Sequence, residues 1–455
     1  MRHTTAPQSD DQVAAALLGA PPPALRLLVT NPWNGQAYCV LRALRPHATR
    51  VIATAYREHG LLGRLAPAAV SRFVDGVYQV PFAAHDWQRG RIRDENSESE
   101  EAYVQAILDI CAREAIDTVF PSWDPEVGIL SKNKSRFAAR GITVPVPEWP
   151  VLRQAMDKHA LAELATEIGC PCPRTYLPQT LADAAELAEL VGFPLLLKPR
   201  CSSGSRGVRL VLRREQLADT IQGVERTFGM PILQEWIPGR LDRRINVNAT
   251  MDRQGRLLTA AVRRNARTVF PSFASVTTTQ VSIEEPALIG QVAHLLARLE
   301  YAGHASAQFK VDPRDGVAKL LELNCRPGYR VWCSIAAGQN IPWLCVQIER
   351  GELVEALPPP AGLPVFLSPI EDTLALGVSL VDWASHQVGS RRDQPLLGPA
   401  PALRDILQGY RDTYFAPRRF FDWYFKALAD DPLAGLTWYA SHLIRILRGP
   451  KRMPR

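Results

Sequence analysis

The 455-residue chain has no run of about 18 apolar residues, which excludes an ordinary membrane-spanning helix. Its eight cysteines are scattered. Cys170-Pro-Cys172 is the one tight pair, and no second pair or histidine cluster stands at zinc spacing. They read as free thiols of a reducing, cytoplasmic compartment. The N-terminal stretch MRHTTAPQSDDQVAAALLGAPPP lacks the basic-then-apolar order of a secretory signal and carries Asp10 and Asp11. Residues 1–24 are expected to be a disordered tail. No G-x-G-x-x-G follows the first apolar run, so a dinucleotide site there is weakly supported. There is no internal repeat. The net charge is +7, yet no compact basic stripe with interleaved aromatics occurs, so no nucleic-acid partner is expected.

A hydrophobic fraction of 46% supplies a real core, and the length suits roughly three domains. Apolar runs at Leu25–Thr30, Val51–Ala55, Thr118–Pro121 and Ile142–Val146 alternate with helical patterns at Glu101–Glu114 and Glu126–Arg140. That alternation predicts a parallel α/β unit.

The densest chemistry lies further on. In LLLKPRCSSGSRGV (Leu195–Val208) an apolar strand delivers Lys198, a small-residue turn follows, and a second strand returns. Small residues let the backbone N–H groups of Ser203 to Gly207 approach phosphate oxygens, and Lys198 adds a point charge. Alone, the segment is equally an ordinary hairpin with a lysine on a buried stem. ILQEWIPG is a second apolar strand, ending at Glu235. In KLLELNCRPGY, period-two alternation sets Glu322 and Asn324 on one strand face, with Leu321, Leu323 and Cys325 on the other. A carboxylate beside an amide oxygen suits Mg²⁺, a hard ion that takes few protein ligands plus phosphates. Gln308, in SAQFKV, offers a further oxygen from a neighbouring strand, and Arg326 follows Asn324 by two residues.

In this order the segments resemble the ATP-grasp superfamily, from about Leu25 to about Gly351. The resemblance is nearest to the carbamoyl-phosphate synthase and biotin carboxylase grasp and to the carboxylate–amine ligases. It implies an α/β ATP-grasp fold with an N-terminal Rossmann-like pre-ATP-grasp domain at 25–149. A grasp domain at 150–356 would follow, with a lid subdomain at about 170–234. It also implies roles. Lys158 and Lys198 would be the two nucleotide lysines, and Ser203, Gly204, Ser205 and Gly207 the phosphate lid. Glu235 and Ile237 would meet adenine at the hinge, and Asp242 the ribose. Gln308, Glu322 and Asn324 would hold Mg²⁺ or Mn²⁺, and Arg326 would be the catalytic arginine. The sequence departs from the family pattern in three places: serines interrupt the lid glycines, Gln308 stands where many members have Glu, and Asp242 is one methylene shorter than the usual Glu.

Two more arginines, Arg263 and Arg267 in AAVRRNARTVF, would share a face if their strand is regular. In the family a basic segment here lies near the phosphoryl and carboxylate groups. The other reading is a solvent-facing charged hairpin. Arg330 is a weaker carboxylate-binding candidate. The implied activity is an ADP-forming ligase that activates a carboxylate as an acyl phosphate and joins it to an amine. Its cofactors would be ATP and Mg²⁺, and its partners a small-molecule carboxylate and amine, with a homodimer compatible. A bicarbonate-activating enzyme is the nearest alternative, although one grasp unit and no glutaminase motif argue against complete carbamoyl-phosphate synthesis. A silent nucleotide-binding scaffold is the other, against which Lys198, Glu322, Asn324 and Arg326 together speak.

Residues 357–455 are aromatic and basic, and three- and four-residue spacing predicts a helical extension. It should cover the grasp domain or mediate self-association, since Phe420, Phe421, Trp423, Tyr424 and Phe425 cannot all face water. A basic amphipathic helix on a membrane surface is the rarer reading.

Overall fold

A computed structural model describes residues 25–31, 33, 35–60, 65–90, 92–269, 277–358, 365–387, 402–414, 420–422 and 429–447. The tail at 1–24 lies outside them.

Strands β1 (Leu25–Val29), β2 (Ala48–Tyr56), β3 (Gly76–Val80) and β4 (Thr118–Phe120) form a parallel sheet in the order β3-β2-β1-β4. The alternation along β1 feeds two cores. Leu28 packs with Tyr103, Val104 and Ile107 of the helix Glu98–Glu114. Leu27 and Val29 pack with Ala37, Tyr38 and Leu41 of the helix Gly35–Leu44. A sheet covered on both faces is what near-continuous apolar runs require. The helix predicted from Glu101 starts earlier, at Glu98, because Ser97 and Glu100 form a capping box. The pattern at Glu126–Arg140 is two helices, Asp124–Lys132 and Lys134–Ala138, interrupted at Asn133. Ile142–Val146 is not a strand: it makes a single bridge, Thr118 to Thr143. Pro145 and Pro147 lack the N–H a ladder needs.

After the helices Trp149–Met156 and Lys158–Glu167, strands β5 (Thr175–Tyr176), β6 (Leu195–Lys198), β7 (Arg209–Val211) and β8 (Ile232–Glu235) build an antiparallel sheet, ordered β5-β8-β6-β7. It has its own core, with Leu195, Leu197 and Leu233 packed on Ala184, Ala188 and Ile221. A larger sheet follows: β9 (Arg244–Met251), β10 (Leu257–Thr268), β11 (Thr277–Ser282), β12 (Gly303–Val311) and β13 (Ala318–Asn324).

The C-terminal extension is helical, with helices at Pro369–Gln387, Leu403–Tyr414 and Pro432–Leu447. It also lends two strands, β14 (Val365–Leu367) and β15 (Phe420–Asp422), which bring the large sheet to the order β13-β12-β9-β10-β11-β14-β15. β14 covers the edge that β11 would otherwise leave open. The extension is anchored at both ends. Asp372 is 0% exposed and accepts hydrogen bonds from Thr278 (2.6 Å) and Thr279 (2.9 Å). Asp431 accepts from Ser71, Asp430 pairs with Arg42, and the Trp438 ring lies on Gly35 of the N-terminal unit. Trp423, Tyr424 and Phe425 fall outside the described residues, as do the side chains of Phe420 and Phe421.

Candidate active site

A cavity of about 660 Å³ opens where the small sheet, the large sheet and the N-terminal unit meet. Each of its charged side chains is delivered by a local device. Asp157 caps the helix that starts at Lys158, accepting from the His159 N–H at 2.9 Å, and pairs with Arg200 at the root of the lid turn. Lys158 then donates to the Ser202 carbonyl at 2.8 Å, which ties the first lysine to the lid. Lys198 ends β6 and donates to Gln234 Oε1 of β8 at 2.5 Å. Its burial lowers the ammonium pKa, and although Glu322 opposes that, Lys158 and Arg244 add to it, bringing it to about 8.

The lid turn bends through left-handed backbone at Gly204, Ser205 and Gly207 (φ 64°, 55° and 74°). Ser203, Gly204 and Ser205 line the cavity. Gly207 instead packs closely: a Cβ there would lie 2.6 Å from Pro199 and 2.8 Å from Phe228. Glu235 and Ile237 also line the cavity. The Glu235 carboxylate pairs with Arg314 at 2.6 Å and Arg174 at 3.4 Å. Burial works to raise its pKa, but hydrogen bonds and charge from the two arginines outweigh it and hold the group below its usual range. The Ile237 carbonyl accepts from Lys310 at 2.8 Å, and that ammonium sits 5.0 Å from the Trp236 ring. Asp242 lies in the single 3₁₀ turn Leu241–Arg243; its side chain is outside what is described.

The large sheet arranges the oxygen donors. Gln308 stands directly opposite Glu322, and Ser306 opposite Asn324. The same row continues through Asn246 of β9 to Arg263 of β10, so these side chains share one sheet face. Leu323 and Cys325 belong to the main core, as the alternation requires. Arg326 forms a two-point ion pair with Asp124 of the N-terminal unit, at 2.7 and 2.9 Å.

Not every predicted residue arrives. Arg263 shares the row but is 2% exposed, and lies with Arg330 near Cys333 rather than on the cavity. Arg267 does not share its face. The β10–β11 ladder shifts register between Asn265 and Arg267 and again before Thr268. Arg267 therefore turns to the C-terminal extension, pairing with Asp372 at 2.8 Å, donating to Thr413 at 2.7 Å and lying 4.1 Å from the Tyr410 ring. The expectation of a substrate-facing Arg267 is corrected by that irregularity.

Three lining cations escaped the sequence reading: Arg206, Arg244 and Lys310. Arg244 had a usable signal, since it alternates with Asn246 and Asn248 along β9. Asp124 had none, because its partner Arg326 is 202 residues away.

Residues 157–352 match the family model for the carbamoyl-phosphate synthase L chain ATP-binding domain, and residues 96–145 match the PylC-like N-terminal domain. Residues 157–352 are thus similar to an ATP-grasp ATP-binding domain, and an N-terminal α/β unit precedes them. A putative urea carboxylase of Emericella nidulans is 23% identical over 272 residues, 56% of this chain and 21% of that protein. The carbamoyl phosphate synthase large chain of Deinococcus radiodurans is 26% identical over 215 residues, 45% of this chain and 20% of that one. The chain thus spans a fifth or so of the length of these two curated relatives. Among solved structures, the biotin carboxylase domain of Hydrogenobacter thermophilus 2-oxoglutarate carboxylase, a dimer holding MgADP and bicarbonate, aligns with TM-score 0.57 at 17% identity, covering 73% of this chain and 71% of its own. Biotin carboxylase from Campylobacter jejuni, in a β,γ-ATP complex, aligns with TM-score 0.57 at 17% identity, covering 72% of each chain. These likenesses are of fold. Among the described residues, no helix is long and apolar enough to cross a membrane.

Proposed function

We propose that the chain is an ATP-dependent ligase that activates a carboxylate as an acyl phosphate and joins it to an amine, releasing ADP and phosphate. The observation that carries this reading is the convergence of Lys158, Lys198, Gln308, Glu322, Asn324 and Arg326 on one cavity between the two grasp sheets. In this reading the lid amides of Ser203 to Ser205, with Lys158 and Lys198, bind the inner phosphates, and the Glu235–Ile237 segment receives the base. Glu322, Gln308 and Asn324 are oxygen donors on neighbouring strands, a donor set that fits Mg²⁺. Bound there, the metal would neutralise phosphate charge. Arg326, oriented by Asp124, stabilises charge on the transferring phosphoryl group. Arg244, half-buried beside Glu322 and Lys198, is placed to hold an anionic oxygen.

The units taken to act together are the N-terminal unit at 25–149, the grasp at 150–356 with its lid at about 170–234, and the extension at 357–455. A dimer, like the 2-oxoglutarate carboxylase domain, and a cytoplasmic location belong to the same proposal. The second rests on eight cysteines that are all free thiols.

Enzyme incubated with ATP·Mg²⁺, a carboxylate pool and hydroxylamine should release ADP and trap the acyl group as a hydroxamate. AMP as the sole nucleotide product would rule the mechanism out. Bicarbonate activation is the second reading, favoured by the solved neighbour that holds MgADP with bicarbonate. It predicts bicarbonate-stimulated ADP release with no hydroxamate.

A further inference from the structure

The lid turn carries one cation whose charge nothing nearby answers. Arg206 lies between Ser205 and Gly207, both in left-handed backbone, and lines the cavity. It is half-buried, yet among the described residues its guanidinium donates only to Ser203, from Nε to the carbonyl and from Nη2 to Oγ, each at 3.3 Å. Both contacts are longer than an ordinary N–H···O bond, and neither acceptor is charged. The other cations of the cavity are better matched. Lys158, Lys198 and Lys310 each donate to an oxygen at 2.8 Å or less, and Arg244 lies beside Glu322.

A guanidinium withdrawn from water without a counter-charge is costly. Burial lowers the Arg206 pKa, and the one influence that opposes it is the charge of Asp124. That carboxylate is already taken: Arg326 holds both of its oxygens, at 2.7 and 2.9 Å. Two guanidinium groups, one on the lid and one at the end of β13, therefore stand about a single carboxylate, and the spot keeps an excess of positive charge. The turn that carries Arg206 is fixed at both ends. Gly207 packs on Pro199 and Phe228, and a Cβ on Gly90 of the N-terminal unit would lie 3.2 Å from the Cys201 carbonyl. Its middle is open, since Gly204 is exposed and a Cβ there would meet nothing within 4 Å. Arg206 can thus reach an anion in the cavity by turning its side chain, with the ends of the lid in place.

We propose that Arg206 is the residue that tells ATP from ADP: it leaves Ser203 to pair with the terminal phosphoryl oxygens, across from Arg326. The inference rests on the ATP-dependent ligase reading and deepens it. Lys158, Lys198 and the lid amides are assigned to phosphates that both nucleotides carry, whereas a lid arginine beside Asp124 and Arg326 meets the group that only ATP carries. A planar guanidinium binds such a group at two points, which an ammonium does not.

The test is calorimetric titration of the full chain with ADP and with the β,γ-imido analogue of ATP, both with Mg²⁺. The unaltered protein should bind the analogue more tightly. Arg206→Gln keeps a donor for Ser203 and removes the charge. It should weaken the analogue about tenfold or more, the scale of a lost charge-assisted hydrogen bond, and ADP by less than about threefold. Arg206→Lys restores the charge without the fork and should recover part of the loss. Should the glutamine variant not fold, the lysine variant decides alone, with a loss of about threefold or more confined to the analogue. Arg200→Gln removes the pair with Asp157 at the root of the same turn, and as a loss of lid support it should weaken both nucleotides alike. Equal weakening of both by Arg206→Gln would make Arg206 another such support and overturn the proposal. An unchanged preference for the analogue overturns it too, and a fall in hydroxamate trapping alongside would move Arg206 to the substrate carboxylate. An unaltered protein that binds neither nucleotide fails the ligase reading itself, while one that binds both and is indifferent to Arg206→Gln fails this inference alone.

Discussion

β13 and β10 belong to one sheet, with β12 and β9 between them, and both carry charged residues at alternating positions, yet only β13 projects them as its pattern says. Glu322 and Asn324 lie in register with Gln308 and Ser306; the one shift in that ladder comes immediately beyond the Gln308–Glu322 pair, at Leu321, and leaves the Glu322–Asn324 stretch regular. β10 slips twice against β11 within Asn265–Thr268, and Arg267 leaves the face of Arg263. A period-two reading holds only as far as the ladder is regular, because one extra residue sends each later side chain to the opposite face. The consequence is a division of labour. The end of β13 faces the cavity, and the end of β10 holds the C-terminal extension.

Substitutions on the two strands should therefore fail differently. Glu322→Ala should abolish ADP release, by about 10³-fold or more, while changing metal-free nucleotide affinity far less, since it removes the one carboxylate of the proposed metal set. Near-normal Mg²⁺-dependent turnover would break the comparison on the β13 side. Arg267→Ala should act on stability. It leaves the fully buried Asp372 without its cation and should cost about 3–5 kcal/mol in denaturant unfolding, with the KM for ATP within about twofold in the folded fraction. A stable variant with a large specific loss of turnover would return Arg267 to the substrate.

Protonation sharpens the contrast between cavity and core. Lys198 has a folded-state pKa near 8, lowered from 10.5 chiefly by burial. Bound phosphates would raise it again, so nucleotide binding should take up a proton above about pH 8, and affinity should fall by up to about tenfold per pH unit there. Calorimetry in buffers of different ionisation enthalpy measures that uptake, and a flat affinity between pH 7.5 and about 9.5 would count against Lys198 as a phosphate ligand. The smallest effect belongs to Glu126. Burial raises its pKa from 4.5 to about 7, even though Thr30 and Tyr56 donate to it. The unfolded chain releases this proton near pH 4.5 while the folded protein keeps it until about 7, so its contribution to stability falls as pH rises through that window. Glu126→Gln should flatten that part of the Tm-versus-pH curve, and a variant with an unchanged slope would show that Glu126 does not titrate there.

Much of the site could be read before any coordinates, for a local reason. Lys198 at a strand end and Glu322 with Asn324 on alternate positions are each set by a few consecutive residues, whereas Lys158 was singled out by the family resemblance and its place at a helix start came from the structure. The parallel α/β character of the N-terminal unit was legible in the same way, from apolar runs separated by helical patterns, although β3 was not among the runs and its sheet order was not predicted. The misreadings were also local in origin. Pro145 interrupts the run Ile142–Val146, and a register slip hid inside β10.

What the sequence determined by itself is which chemistry each segment can offer and which side of its own strand or helix that chemistry takes, because backbone periodicity is a property of neighbouring residues. Which groups meet was decided by tertiary structure alone. Arg326 finds Asp124 across 202 positions and Arg267 finds Asp372 across 105. Arg244 comes to lie beside Lys198 and Glu322 only when the two grasp sheets close on one another. Such pairings depend on the packing of whole units, and no short stretch of chain encodes the distance between one unit and the next.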